Sequence, residues 1–503
     1  AQAQTDDRLR ESREALASSL HRPLYHFSSP VSRLHDPGGI CEWQGNVHLF
    51  YIGKGGKGHA VSEDLVHWRD LPAVSLIGGM TGQMVTTDEQ AFMSFTQGEG
   101  VFLATSSDPM LLNWERNLIL PKKGILEDYQ MPIDTCFWRE GEEWWMLVRK
   151  HNWEPGLWHF AGGRPVLGLF RSANLEDWEE RGVFYEKKNA IQPGDDLACP
   201  NFLPIGGGRH LLLFYCHPRG PMYTTGVYDP ENRKFSAEQH GQVSFGHTKH
   251  GSLHAPSAFI DSRGRLIAIF NVTENRRHEG DWIGIMSLPR VLALREGYPE
   301  PLNRKPPLDV DNTRNYFNPL RIEPVPELES LRFDPVAIGK TRIPANGEKV
   351  LPELRGKAME LEAVIDPQQA REVGLRVWRS PDGAEQTTIR LFTQGHARAA
   401  KARTLSIDVS ESSLDPLVGS RVPESGPLWL EPGEPLRLRV FIDRSIIEVF
   451  ANDRQCLTVR AYPSRKDSTG VAVFARGSEA DLVSLKAWQM RSIWPELKHL
   501  EGK

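Results

Sequence analysis

Three stretches of the chain carry aspartates whose surroundings could hold a carboxylate rigidly in a pocket. Asp36 lies in an Asp-Pro-Gly-Gly turn that leads into a strand of alternating apolar and polar residues. Asp134 stands just before an apolar strand, and Gly194–Phe202 contains two further aspartates. Carboxylates gathered in one pocket suit glycoside hydrolysis, because one can attack the anomeric carbon while another protonates the leaving oxygen. Taken singly, each aspartate could instead belong to a turn or to a structural hydrogen bond.

Composition and charge exclude several classes of protein. The chain has 503 residues, enough for two or three domains. Its net charge of -5 and its pI of about 6.4 argue against nucleic acid or an anionic membrane as a partner. The five cysteines have no metal-ligand spacing, so we expect no metal and regard them mostly as small buried hydrophobes. No apolar run is long enough to span a bilayer.

The beginning of the chain predicts a helix and suggests a location. Thr5-Asp6-Asp7 could cap a helix that continues to about Leu20, before Pro23 ends it. Residues 1–22 are therefore predicted to form an N-terminal helical segment. The first four residues, Ala-Gln-Ala-Gln, are typical of the end left after signal removal, which predicts a secreted or periplasmic protein.

Short strands separated by turn residues dominate residues 23–298. Within them a strand, a Ser/Asp turn and a Trp recur three times, in Ser62–Trp68, Ser106–Trp114 and Arg171–Trp178. This repeat favours a propeller of four-stranded blades, in which the inner strands would bring polar residues to a common axis.

The second half of the chain predicts another all-β domain. Residues 299–318 are rich in Pro, Asn and charged residues and are predicted to be a linker. Short stretches of alternating apolar and polar residues resume after it and predict strands. This pattern indicates a β-sandwich over residues 319–503. The predicted fold class is therefore all-β, with a propeller followed by a sandwich.

Several motifs resemble those of glycoside hydrolase family 32, the invertase, inulinase and levanase family, and they extend over nearly the whole chain. The matching segments are Arg22–Phe27, His35–Gly39, Gly58–Trp68, Ser287–Arg290, Pro324–Arg332 and Phe441–Phe450. The resemblance implies a five-bladed propeller followed by a β-sandwich, a glycosidase without a cofactor, and a carbohydrate substrate. It also allows a homo-oligomer.

The same resemblance implies roles for individual positions. Asp36 matches the nucleophile, which would form a covalent fructosyl-enzyme intermediate with retention. Asp134 matches the aspartate that stabilises the transition state. Ala198, in Ala198-Cys199-Pro200, occupies the position of the acid/base glutamate. The substrate-binding positions implied are His35, Lys57, His59, Gln83 and His254.

Three explanations of Ala198 are open. The glutamate could have been replaced, leaving an inactive variant that binds substrate. The acid could instead have moved to Asp196, because residues 196 and 198 of a strand face the same side, although they lie roughly 6–7 Å apart and Asp is shorter than Glu. Thirdly, the chain could be a non-catalytic carbohydrate-binding relative. An enzyme without the acid would lose the roughly 10²–10⁴-fold that proton transfer contributes.

Other departures from the family pattern bear on the substrate. His35 and Gly38 replace the two asparagines of the nucleophile motif, and Lys57 replaces a tryptophan. Ile133 stands where the family has the arginine of Arg-Asp-Pro, and His254 replaces an aromatic residue. The expected substrates are β-fructofuranosides of the sucrose, fructo-oligosaccharide or fructan type. The alternative is hydrolysis or transfer acting on a different furanoside or an unusual fructan linkage.

Overall fold

The structure is a computed structural model that describes residues 2–16, 19–53, 56–78, 82–124, 126, 134–150, 165–186, 195–276, 282–295, 319–394 and 402–494. Ile133 and the predicted linker at 299–318 lie outside the described residues. Strands dominate the described part, as the alternating sequence pattern predicts.

Five sheets, formed almost entirely of antiparallel pairs, are present among the described residues of the N-terminal domain. The first sheet contains β1 (Ser32–Trp43), β2 (Asn46–Gly53), β3 (Gly56–Ser62) and β4 (Trp68–Val74). The second contains β5 (Met84–Thr86), β6 (Ala91–Gln97), β7 (Gly100–Ser106) and β8 (Glu115–Pro121). The third contains β9 (Thr135–Glu140), β10 (Glu143–Lys150), β11 (Val166–Ser172) and β12 (Glu179–Glu186).

The fourth and fifth sheets complete this domain. The fourth contains β13 (Ala198–Gly206), β14 (Arg209–Cys216), β15 (Gly220–Asp229) and β16 (Lys234–Gln242). The fifth contains β17 (Leu253–Ile260), β18 (Leu266–Val272), β20 (Ile285–Met286), β21 (Arg290–Leu294) and β22 (Leu320–Pro324), while β19 (Trp282–Ile283) lies parallel to β1 in the first sheet.

The first strands of the five sheets contact one another in a closed ring. Strand β1 contacts β5, β5 contacts β9, β9 contacts β13, β13 contacts β17, and β17 contacts β1. This is the arrangement of propeller blades around an axis. Each inner strand carries or adjoins a predicted site residue, in chain order Asp36, Gln83, Asp134, Ala198 and His254.

The repeated Ser/Asp segment forms the same turn in the first three sheets, between the third and fourth strands. Asp64, Asp108 and Asn174 each accept a hydrogen bond from the backbone N–H two residues later, at 2.9–3.0 Å. A leucine in each turn has a positive φ of 51° to 68°. The repeat is therefore a structural unit of the blade, as its strand context predicts.

Two sheets pack face to face in the C-terminal domain. One contains β23 (Arg332–Ile338), β24 (Thr341–Ile343), β26 (Ala358–Asp366), β31 (Leu436–Asp443), β32 (Ile446–Ala451), β33 (Gln455–Arg460) and β35 (Ala480–Met490). The other contains β25 (Gly347–Arg355), β27 (Glu372–Arg379), β28 (Thr387–Phe392), β29 (Ala402–Asp408), β30 (Glu424–Trp429) and β34 (Gly470–Arg476). Buried Leu, Ile and Val from both sheets form one core, which confirms the sandwich.

Two boundaries differ from the sequence predictions. Leu320–Pro324 was expected in the sandwich, but it pairs with Arg290–Leu294 in the fifth propeller sheet, because its apolar face is buried in the propeller core. The sandwich strands begin at Arg332 after a short 3₁₀ helix, Pro326–Leu331. Helix α1 spans Gln2–Leu16, so it begins before the expected cap and ends before Leu20.

Helix α1 is anchored by a buried arginine. Arg13 pairs with Asp70 at 2.6 Å, and its guanidinium carbon lies 3.2 Å from the centre of the Trp494 ring.

None of the described helices is long and apolar enough to cross a membrane.

Three of the family-like motifs, Arg22–Phe27, Ser287–Arg290 and Phe441–Phe450, meet at the contact between the domains. Asp443 accepts the backbone N–H groups of Leu24, Tyr25 and His26 at 2.7–2.9 Å. Glu448 forms a buried ion pair with Arg290 at 2.5 Å. These motifs therefore fix the sandwich onto the propeller.

Candidate active site

Asp36 is a buried carboxylate held by two imidazoles. Its strand, β1, pairs irregularly with β2 around Pro37, and the aspartate is only 5% exposed. His35 and His254 both approach Oδ1 through Nδ1, at 2.9 and 3.0 Å. Burial alone would raise the pKa of Asp36, but the hydrogen bonds from His254 and His35 outweigh it and hold the pKa well below its usual range. Asp36 is therefore ionised at neutral pH, as a nucleophile requires.

The two imidazoles come from different blades. His35 belongs to β1 and His254 to β17, so the ring closure between the first and fifth sheets brings them together. The hydrogen bond to Asp36 raises the pKa of His35, and burial opposes this only in part. His254 packs against Tyr215, with ring centres 4.0 Å apart.

Lys57 is buried beside this group. It lies on β3 and is 1% exposed. Burial lowers the pKa of the Lys57 amine to about 8, while the charge of Asp36 acts in the opposite direction. The structure therefore brings three of the predicted substrate-binding residues, His35, Lys57 and His254, to Asp36, the predicted nucleophile.

Asp134 joins the third blade to the segment that contains Ala198. It precedes β9 and is 3% exposed. Its Oδ2 accepts the backbone N–H of Cys199 at 3.0 Å and lies 3.8 Å from Nη1 of Arg149. Cys199 has a φ of 49°, in the left-handed region that non-glycine residues seldom adopt. The predicted convergence of Asp134 with the Ala198 segment is therefore present.

Asp196 is enclosed by partners. His217 donates its backbone N–H to Oδ1 at 2.9 Å and its ring Nδ1–H to Oδ2 at 2.6 Å, while Nη1 of Arg149 lies 3.1 Å from Oδ2. Burial would raise the pKa of Asp196, but His217 and Arg149 hold it below its ordinary value. A buried, ionised carboxylate has no proton to give, so this geometry does not favour the hypothesis that the acid moved to Asp196.

Ala198 begins β13 and is paired with Tyr215 on β14. It packs in a small buried cluster with Cys199, Tyr215 and Ala255. The position implied for the acid/base residue therefore lies beside Tyr215 and carries no carboxylate.

Two residues of this site, Arg149 and His217, were not predicted from the sequence. Arg149 follows the apolar stretch Trp144–Val148 and lies near both Asp134 and Asp196. His217 directly follows β14 and has a side chain that is 38% exposed. The available signal was in each case a basic residue at the end of an apolar strand, but the partners come from other strands.

His59 and Gln83 have structural contacts. His59 stacks on Phe50 at 4.0 Å and hydrogen-bonds to His48 at 3.0 Å. Burial lowers the pKa of His59 well below its ordinary value. Gln83 accepts the backbone N–H of Phe137 at 3.2 Å. Substrate binding by these two residues stays a prediction.

All five cysteines are buried and none is in a disulfide, as predicted for small apolar residues.

Comparisons with known proteins agree across both domains. The family model "Glycosyl hydrolases family 32 N-terminal domain" matches residues 26–306, and "Glycosyl hydrolases family 32 C terminal" matches residues 327–489. An acid beta-fructofuranosidase of Vicia faba is 25% identical, over 96% of this chain and 83% of the relative. A sucrose-6-phosphate hydrolase of Zymomonas mobilis is 26% identical, over 97% and 95%. A levanase of Bacillus sp. strain L7 is 26% identical, over 95% and 53%.

Solved structures show the same fold. Fructan 1-exohydrolase IIa from Cichorium intybus superposes with a TM-score of 0.78 at 20% identity, covering 94% of this chain and 98% of the other. Sucrose-6-phosphate hydrolase from Lactobacillus gasseri gives a TM-score of 0.72 at 19% identity, covering 98% and 97%. Because the N-terminal family model alone matches more than half of the sequence, the chain belongs to glycosyl hydrolase family 32 and is a glycosidase.

Proposed function

We propose that this chain is a retaining β-fructofuranosidase that transfers the fructosyl group of a sucrose-, fructo-oligosaccharide- or fructan-type substrate first to Asp36 and then to water. The observation that carries the proposal is the state of Asp36, a buried carboxylate kept ionised by His35 and His254. A buried anion with these two donors is a competent nucleophile for covalent catalysis.

The contacts of Asp36 suggest which of its oxygens attacks. Both histidines hydrogen-bond to Oδ1. Among the described residues, no hydrogen bond reaches Oδ2, so we assign the attack on the anomeric carbon to Oδ2. His35 and His254 would then hold the carboxylate in one orientation throughout the reaction.

Asp134 is proposed to bind sugar hydroxyls and to stabilise the oxocarbenium-like transition state. Its Oδ2 is fixed by the N–H of Cys199, and Arg149 lies beside it. A carboxylate held in place before the reaction can stabilise developing positive charge without reorganising. The arginine of the family's Arg-Asp-Pro motif is replaced by Ile133 in this chain. Arg149, from a different strand, lies near Asp134.

The substrate class is supported by the names of the relatives, a beta-fructofuranosidase, a sucrose-6-phosphate hydrolase and a levanase. A second candidate is a different furanoside or an unusual fructan linkage. The observation that favours it is the set of three basic side chains, His35, Lys57 and His254, at the nucleophile.

A panel assay separates these candidates. The purified chain, an Ala198→Glu variant and an Ala198→Gln control of matched size are incubated with sucrose, inulin, levan and aryl furanosides, and the released sugar is measured. Release of fructose supports the proposal, whereas release of only another sugar supports the second candidate. Activity in Ala198→Glu but not in the parent or the Gln control would identify the parent as an inactive acid/base variant.

If no protein in the panel releases any sugar, the glycosidase mechanism through Asp36 is contradicted. Sugar binding without turnover in all three proteins would then mark a carbohydrate-binding relative.

A further inference from the structure

We propose that His217, held by Asp196, is the proton donor and acceptor that replaces the acid/base residue missing at position 198. This inference rests on the proposed function, because it assigns the second catalytic group to the same pocket.

The position of His217 follows from its contacts with the Ala198 segment. Ala198 is the cross-strand partner of Tyr215, and His217 is the first residue of the turn that follows β14. Asp196, two residues before Ala198, binds both the backbone N–H and the ring of His217. The Tyr215 and His217 rings lie 5.1 Å apart, edge to face. His217 is therefore next to the space that a longer side chain at position 198 would enter.

A chain of ring contacts connects His217 to the nucleophile. The His217 and His254 ring centres are 6.3 Å apart at an interplanar angle of 83°. His254 in turn donates to Oδ1 of Asp36 at 3.0 Å. One imidazole thus lies between His217 and Asp36, which places both groups in the same cluster of side chains.

Asp196 fixes the orientation of the His217 ring. Its Oδ2 lies 2.6 Å from Nδ1, so Nδ1 carries a hydrogen, and the backbone N–H of His217 also binds this carboxylate. Nε2 is on the far side of the ring from this anchor, and the side chain is 38% exposed. An imidazole held through Nδ1 by a buried carboxylate is suited to exchange a proton through Nε2.

Asp196 is ionised, because His217 and Arg149 keep its pKa below the ordinary value despite burial. A buried carboxylate without a proton cannot serve as the acid, but it can hold the His217 ring through Nδ1. Asp196 therefore acts as a positioning residue.

The proposed reaction balances over two steps. As Oδ2 of Asp36 bonds to the anomeric carbon, the bond from that carbon to the glycosidic oxygen breaks and its electron pair stays on the oxygen. That oxygen takes the proton from Nε2 of His217. In the second step Nε2 accepts a proton from water while the water oxygen bonds to the anomeric carbon, and the bond to Asp36 breaks. His217 is protonated again and Asp36 is again a carboxylate.

The test compares leaving groups in His217→Gln. Hydrolysis of sucrose, whose alkoxide leaving group needs a proton, should fall by roughly 10²–10⁴-fold in kcat/KM. Hydrolysis of an activated aryl β-fructofuranoside, whose phenolate leaves without protonation, should change far less in the bond-breaking step. The aryl activity also reports that the variant is folded. His67→Gln is the matched control, because His67 binds Asp64 through Nδ1 at 2.7 Å in a surface turn and is 45% exposed.

Asp196→Asn is the second readout. It removes the carboxylate that holds Nδ1 of His217, so kcat/KM for sucrose should fall more than kcat/KM for the aryl substrate.

Equal losses on the sucrose and aryl substrates in His217→Gln, or none on either, would overturn the role of His217. A parent that hydrolyses only the aryl substrate would also overturn it, while leaving Asp36 as the nucleophile. A parent that hydrolyses neither would overturn the proposed function, and the assignment of His217 with it.

Discussion

The amine of Lys57 occupies the space that a side chain at position 38 would need. A Cβ added to Gly38 would lie 3.2 Å from both Cδ and Cε of Lys57, and closer still to Nζ. Gly38 and Lys57 belong to different strands, β1 and β3, and both adjoin Asp36. The two departures from the family pattern are therefore one structural feature, in which the absence of a side chain at 38 admits the lysine.

A double-mutant cycle tests this coupling. Gly38→Ala should displace the Lys57 side chain and lower kcat/KM, whereas in a Lys57→Ala background the same change should have little effect. We expect a coupling energy of about 1–2 kcal/mol from the four kcat/KM values. Additive effects of the two substitutions would show that Gly38 does not act by admitting Lys57.

The buried Lys57 predicts an alkaline rise in stability. Burial lowers its pKa from 10.5 to about 8 in the folded protein. Between these values the unfolded chain binds more protons, so the free energy of unfolding rises with pH across this window, by up to about 3 kcal/mol. Urea unfolding of the parent at pH 8 and pH 10.5 should show the rise.

Lys57→Met is the matched variant for that measurement. It has a similar shape without an ionisable amine, so its difference in unfolding free energy between the two pH values should be smaller by the contribution of Lys57. The same slope in the parent and in Lys57→Met would mean that Lys57 is not the group responsible.

Removal of both imidazoles should move the acidic limb of activity. The hydrogen bonds from His254 and His35 lower the pKa of Asp36 against the effect of burial. In His35→Phe/His254→Phe these hydrogen bonds are lost while the burial remains, so the pKa of Asp36 should rise. Activity needs the carboxylate, so kcat/KM should begin to fall at higher pH than in the parent.

The measurement is kcat/KM for an aryl β-fructofuranoside from about pH 3 to about pH 8, a range that includes the usual pKa of a carboxyl group. Each single variant should lie between the parent and the double variant. An acidic limb that stays at the parent position in the double variant would contradict this explanation of how Asp36 remains ionised.

The contact between the domains depends on a buried ion pair. Arg290 and Glu448 are both fully buried and lie 2.5 Å apart. Glu448→Ala would leave the guanidinium buried without its carboxylate and should cost about 3–5 kcal/mol of unfolding free energy. Arg290→Met/Glu448→Leu should be much less destabilised, because neither charge remains. Chemical denaturation of the parent, Glu448→Ala and the double variant measures the three unfolding free energies. A double variant less stable than Glu448→Ala would refute this prediction.

Features encoded in a short stretch of sequence could be predicted. The turns at Asp64, Asp108 and Asn174 combine a Ser, an acidic or amide residue and a Trp at similar spacings, because each turn satisfies its own backbone. The prediction that Asp36 is the nucleophile came from its turn together with the flanking motifs, and it stays a prediction. The alternation of apolar and polar residues likewise predicted strands on both sides of the linker.

Features that depend on contacts between distant strands could not be predicted. Periodicity showed that Leu320–Pro324 was a strand, but not that it pairs with Arg290–Leu294 in the propeller. His217 was missed because its significance comes from Asp196 and His254, which belong to other segments. Asp196 was proposed as an acid from strand spacing alone, whereas its protonation state depends on Arg149 and His217.

The most direct test of the central claim is mass spectrometry of the protein during turnover. The chain is mixed with an activated aryl β-fructofuranoside, quenched in acid within the first turnovers and digested. We predict that the peptide containing Asp36 gains the mass of one fructosyl group, and that Asp36→Asn gains none. A fructosyl group on another residue, or steady turnover without any covalent adduct in the parent, would contradict the account.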